Sequence, residues 1–428
     1  MALDHVNLAA FLRSLERAAV AEASRAAESG AAASADGGSA VVAGAVAAAA
    51  ARAAEARVAS LAAAAGQLVL RRSKWFDPRH SAAVVARTAS LGFTDDRLLQ
   101  SLTGRMLARL NEAYSRDLLQ LLRGLHQHAQ RSAAGGAAAV TPVQEPAAEG
   151  ELQRGGRRRR PPPQPYAGPP AALADGVAVF LLARLPTGRM PPENLDGLLR
   201  YLRALSGRPV GPQLCAAVQA DLAARLPIYA PKPLAGVLAA LAAERRALPP
   251  PLLDAAADQF AATAAAHGSG AAAGRFLAAA AALRRHQAPL SEAAGGPPAG
   301  APSEWLGGRP GLLQECLALM ARDAPHASPR RLAQWLQALN AVGAPIASLS
   351  AGAHPSAVSA GPSAPLAPSS PATTAPSAVA LTATASSFLT AHRRAVEASL
   401  PALPTGDPLR ARLRAGYDGL ALPYPAGL

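Results

Sequence analysis

Large apolar residues recur along this chain in short runs at helical spacing, and the clearest run begins at Pro329. Counted from that proline, they fall at +3 (Leu332), +6 and +7 (Trp335, Leu336), +10 (Leu339) and +13 (Val342). At 100° per residue these positions share one face of an α-helix. Ser328 stands where an N-cap belongs, Pro329 suits a first turn, and Gly343 can close the C-terminus. The spacing predicts a short amphipathic helix that cannot bury its stripe alone.

The same spacing runs from Pro231 (Leu234, Val237, Leu238, Leu241) and from Pro192 (Leu195, Leu198, Leu199, Leu202, Leu205). It returns from Ser115 (Leu118, Leu121, Leu122, Leu125), from Pro78 (Val84, Val85, Leu91) and from His5 (Leu8, Phe11, Leu12, Leu15), and a degenerate copy starts at Ala273 (Phe276, Leu283). Over these seven copies, 24 of the 28 positions at +3, +6, +7 and +10 carry an apolar residue other than Ala. A composition in which 112 of 428 residues are Ala would not place them so regularly.

The starting points are separated by 73, 37, 77, 39, 42 and 56 residues, which are single or double multiples of about 38, with one gap widened by a loop at Gly295–Gly308. A fixed period of this length means stacked supersecondary units. Room remains in each unit for a partner helix, with candidates at Asp95–Leu107 and Pro251–Phe260. The expected fold is therefore all-α, an α-solenoid of helical hairpins of about 38 residues each. Residues 1–130 form N-terminal repeats and residues 173–345 central repeats, while residues 381–428 form a C-terminal helical segment around a helix at Phe388–Leu400. Residues 131–172, rich in Gly, Ala, Pro and Arg, and residues 346–380, rich in Ser, Ala and Pro, cannot bury a core and read as disordered linkers.

Composition adds a charge. Lys and Arg together number 42 against 28 Asp and Glu, a formal net charge of +14, and all but Lys74 and Lys232 of the basic residues are Arg. So lopsided a ratio reflects a GC-rich genome rather than a choice of Arg for function, but the net charge suits an anionic partner. Cys215 and Cys316 lie on apolar faces and read as buried thiols in a reducing compartment. No apolar run is long enough to span a bilayer, so no membrane insertion is expected. The acidic N-terminal residues Asp4, Glu16, Glu22 and Glu28 do not resemble a transit peptide.

Catalytic patterns are missing: the sequence contains no phosphate loop, no dinucleotide glycine fingerprint, no GxSxG and no HExxH. His126 and His128 point about 200° apart on a helix, cannot share a metal, and read as surface residues. No enzyme, cofactor or metal is expected. What remains is an arrangement of cations. Arg79, Arg116, Lys232 and Arg330 stand at +1 of their repeats, and Arg13, Arg123 and Arg200 at +8. Seven residues return to within about 20° on a helix, so these seven form a stripe away from the core and are the candidate phosphate contacts of a nucleic-acid track. The Arg154 and Arg157–Arg160 cluster offers a second way to touch RNA, as an unstructured arm.

The segments Ser328-Pro-Arg-Arg-Leu-Ala-Gln-Trp-Leu-Gln-Ala-Leu, Ala230-Pro-Lys-Pro-Leu-Ala-Gly-Val-Leu-Ala-Ala-Leu and Phe76-Asp-Pro-Arg-His-Ser-Ala-Ala-Val-Val-Ala-Arg resemble the octotricopeptide-repeat proteins of green algae and the related FAST-kinase-like helical arrays. The resemblance implies binding of single-stranded RNA in a chloroplast or mitochondrion to promote its stability, processing or translation. It assigns no base-reading residues, because the family's Pro-Pro-Pro-Glu-Trp signature is not matched. The alternative is a protein-interaction scaffold, such as a subunit of an organellar ribonucleoprotein.

Overall fold

The computed structural model describes residues 8–19, 21, 24–25, 60–61, 64–92, 95–138, 171–293, 301–344, 346 and 378–428. Among these the fold is all-α, without a strand. Residues 8–19 and 64–72 are helical. Fourteen further helices follow: α1 (Pro78–Ser90), α2 (Asp96–Ala108), α3 (Ser115–Ala138), α4 (Ala171–Arg184), α5 (Pro192–Ser206), α6 (Pro212–Arg225), α7 (Pro231–Ala243), α8 (Pro250–His267), α9 (Gly270–Ala293), α10 (Pro302–Gly307), α11 (Pro310–Asp323), α12 (Pro329–Ala341), α13 (Ala378–Ser399) and α14 (Pro408–Gly419).

Five expected starting points, Pro78, Ser115, Pro192, Pro231 and Pro329, are the first residues of α1, α3, α5, α7 and α12. Proline at these places costs no hydrogen bond, since the first N–H groups of a helix have no partner within it. The apolar stripes lie inward: Leu118, Leu121, Leu122 and Leu125 of α3, and Leu332, Trp335, Leu336 and Leu339 of α12, are all buried. In α1 the +3 and +10 positions are Ser81 and Thr88, equally buried, and the Thr88 hydroxyl donates to the Val84 carbonyl at 3.0 Å.

Five expectations need correction. Phe11 is 40% exposed, because +6 lies at the border of the stripe while Leu8, Leu12 and Leu15 face the core. The Ser328 side chain caps nothing: Pro329 has no N–H, and the Arg331 N–H donates to the Ser328 carbonyl at 2.8 Å. The copy placed at Ala273 begins three residues earlier, at Gly270, and the C-terminal helix begins at Ala378 rather than Phe388. Helix α3 continues through Ala138, into the stretch read as linker. The rest of that linker, residues 139–170, lies outside the described residues, as do 347–377 of the second one and 294–300 of the expected loop. Gly343 does close α12: it takes a left-handed φ of 63°, and the next N–H, of Ala344, donates back to the Leu339 carbonyl at 3.0 Å.

Short 3-10 turns precede the motif helices: Ser73–Trp75 before α1, Leu110–Glu112 before α3, Leu185–Thr187 before α5, Leu226–Ile228 before α7, Ala324–His326 before α12 and Leu400–Ala402 before α14. Three of these connections, and the one between α8 and α9, are bonded by side chains of a later partner helix. Arg184, ending α4, donates to the Asn111 carbonyl at 3.4 Å. Arg225, ending α6, donates through Nη1 to the Gly188 carbonyl at 2.7 Å and through Nη2 to the Met190 carbonyl at 2.9 Å. Gln259 of α8 donates to the Pro227 and Tyr229 carbonyls, and Arg322 of α11 to that of Gly268. Arg225 is itself held by Asp221, to which its Nε donates at 2.8 Å and to which the buried Tyr229 hydroxyl also donates at 2.6 Å.

The helices form two compact units, one of residues 1–184 with 200–210, the other of residues 185–199 with 211–428, so that α5 contributes to both. In the first, α1 packs on α3 and α2, and α2 on α4. Gly124 of α3 lies against the backbone of Ala86, the His128 Nε2 is 3.3 Å from the Thr88 hydroxyl, and Arg131 donates to the Ala89 carbonyl. Contacts that advance together on both helices make α1 and α3 parallel. In the second unit α7 packs on α9, α9 on α12 and α12 on α14, while α8 packs on α11 and α11 on α13. Helices α12 and α14 are parallel too, with Gly416 against Leu336 and Gly419 against Asn340.

Candidate nucleic-acid interface

Parallel packing aligns equivalent positions of neighbouring motif helices, and in the first unit this brings cations together. Arg116 and Arg123 stand one above the other on the solvent face of α3, two turns apart. Arg87, at +9 of α1, and Arg200 and Tyr201, at +8 and +9 of α5, face the same space, which Glu16 of the 8–19 helix borders. Together they line a cavity of roughly 400 Å³. Four guanidiniums thus open on a volume that holds one carboxylate.

That carboxylate is engaged, since Arg87 donates to Glu16. Burial, and next to it the charge of Arg13, hold the Arg87 guanidinium below the ordinary arginine range. Arg116, Arg123 and Arg200 are exposed and have no carboxylate partner among the described residues. The Arg200 guanidinium lies over the Tyr201 ring at 4.8 Å, and the His126 ring stands 5.5 Å from that of Tyr201 at 53°. The arrangement can hold phosphate oxygens by charge-assisted hydrogen bonds and offers a guanidinium and an aromatic ring against which a base can stack.

Of the seven cations expected from the sequence, the structure brings Arg116, Arg123 and Arg200 to this cavity and sets Arg13 near Arg87. Arg79 is exposed on the first turn of α1 and does not line the cavity, whereas Lys232 and Arg330 are exposed in the second unit. Sequence reasoning missed Arg87 and Tyr201. Both stand at +9, one step from the +8 stripe, and that adjacency was the available signal. It also passed over Trp75 and Tyr114, 64% and 74% exposed, which lie just before the aligned starts of α1 and α3. The Lys74 ammonium sits 5.2 Å over the Trp75 ring.

His128 is not a surface residue. It occupies +13 of the Ser115 repeat, the place that Val342 fills in α12, and is fully buried; desolvation pulls its imidazole down to about 4. His392 is buried as well, between α12 and α14. The Leu332 carbonyl can only accept, so Nε2–H donates to it at 3.1 Å, and Nδ1 accepts from the Tyr417 hydroxyl at 2.9 Å. Cys215 and Cys316 are buried and unbridged, and desolvation raises both thiols. Among the described residues no three His, Cys, Asp or Glu side chains gather as a metal site, and no helix is long and apolar enough to cross a membrane. No protein-family model matches the chain, and no curated protein is significantly similar to it.

Proposed function

We propose that this chain binds single-stranded RNA along the solvent face of its motif helices, as a binding protein rather than an enzyme. The observation that carries the reading is the convergence of Arg116, Arg123 and Arg200 on one cavity without carboxylate partners among the described residues. Three guanidiniums left to solvent side by side repel one another, and a phosphate chain relieves that repulsion. Exposed Trp75 and Tyr114 at the aligned helix starts add ring faces of the kind on which unpaired bases stack. The α-solenoid reading rests on the coincidence of helix starts with the repeat period, on the parallel pairs, and on arginines that reach back to the preceding connection. With the resemblance to octotricopeptide-repeat arrays, it makes a chloroplast or mitochondrial transcript the RNA to be sought.

The test is RNA affinity as a function of salt. Each phosphate neutralised on a single strand contributes about 0.7 to the slope of log affinity against log salt, so substituting Arg116, Arg123 and Arg200 by Gln should lower that slope by about 2, with helical circular dichroism unchanged. The control replaces Arg154 and Arg157–Arg160. Arg131 is left out of it because its guanidinium donates to the Ala89 carbonyl and holds α3 to α1. Loss of binding in the control alone would move RNA recognition to that arm and leave the helices as a scaffold for proteins.

A further inference from the structure

The cavity has a shape and a charge that an unbroken strand does not require. A phosphodiester inside a strand carries one negative charge, whereas a phosphate monoester carries nearly two and presents three strong acceptor oxygens. Arg116, Arg123 and Arg200 supply three guanidiniums without carboxylate partners among the described residues, and Arg87 stands behind them, tied to Glu16. Like charges gathered in roughly 400 Å³ are stabilised most by a ligand that concentrates opposite charge at one point. That volume lies near the lower end of small-ligand pockets and suits a single nucleotide. Tyr201, with the Arg200 guanidinium over its ring, puts a stacking surface on the wall of the same cavity.

We propose that this cavity binds a phosphate monoester, the terminal phosphate of an RNA strand, with Arg116, Arg123 and Arg200 on its oxygens and the terminal base against the Arg200–Tyr201 pair. The assignment rests on the RNA reading above and makes the cavity the place where a strand end is held, with the exposed aromatics and cations of the aligned helix starts serving the nucleotides that follow.

The experiment compares the full chain's affinity for three pools of one short, randomised-sequence oligoribonucleotide, carrying a 5′-phosphate, a 3′-phosphate, or hydroxyls at both ends. One phosphorylated pool should bind about tenfold more tightly than the hydroxyl pool, the worth of one further charge-assisted hydrogen bond. Which pool does so identifies the end. R116Q/R123Q/R200Q should abolish the preference. E16Q, which removes the one carboxylate and releases Arg87, should enlarge it; a variant that merely misfolds could only weaken binding. Equal affinity for all three pools, with the triple variant weakening each alike, would place internal phosphates in the cavity and overturn the strand-end assignment while the RNA reading stands. Binding of a nucleoside 5′-monophosphate but of no pool would overturn both, as would binding of neither.

Discussion

Arg225 spreads its three nitrogens over the Asp221 carboxylate and the carbonyls of Gly188 and Met190, a span that the single ammonium of a lysine cannot cover. Arg131, Arg184, Arg322, Arg410 and Arg414 likewise donate to backbone carbonyls. A near-absence of Lys that reads as base composition is therefore also a structural requirement at these positions, and a formal charge of +14 overstates how many guanidiniums are free to grip phosphate. The buried histidines lead to a measurable consequence. His128 and His392 fall from an ordinary 6.5 to about 4 because burial disfavours the imidazolium. A depressed histidine favours folding while it stays neutral. As pH drops from about 6.5 to about 4 the unfolded chain gains protons that the folded one refuses, so stability falls across that window, by on the order of 3 kcal/mol per histidine at most. Denaturant unfolding between pH about 7 and about 5 should show this slope, and H128Q should remove the share contributed by the first unit. The burial of His128 was legible only in the repeat frame, where +13 is a core position; spacing against His126 alone gives the wrong face.

The motif helices were readable because a stripe of Leu, Val and Trp at +3, +6, +7 and +10 cannot be satisfied by any other backbone, and proline marked their starts. The partner helices were only partly readable: α8 runs on past Phe260 to His267 through turns made mostly of Ala, and Ala makes no stripe. The turns between were not read at all, since their signal, an Arg closing one helix just before a Leu-Pro step, acquires meaning only when the carbonyls it reaches are in view. Close approach of elements was hidden too. A side chain at Gly124 would meet the backbone of Ala86 and force α1 and α3 apart. G124V should cost on the order of 1–3 kcal/mol, the usual penalty of overpacking, and should blunt RNA binding by separating Arg87 from Arg123, whereas Gly104, with nothing near it, should accept Ala without loss of packing. Thermal unfolding of the two variants side by side checks the contrast.

In the second unit α12 packs on α13 and α14, and if the helices stack as proposed, damage there stays local. H392F would leave the Leu332 carbonyl without its imidazole donor and the Tyr417 hydroxyl without its acceptor, and hydrogen exchange should then quicken in α12, α13 and α14 while α1 and α3 keep their protection. Spread of faster exchange into α1 and α3 would contradict neighbour-only coupling. Four of the side chains that bond these connections share a direction. Arg184 reaches back to residue 111, Arg225 to 188 and 190, Gln259 to 227 and 229, and Arg322 to 268, always toward chain already made. On the ribosome these four donors therefore emerge after their acceptors and can fasten as they leave the exit tunnel, whereas Gln219, which donates to the Ala247 carbonyl, must wait for chain still to come.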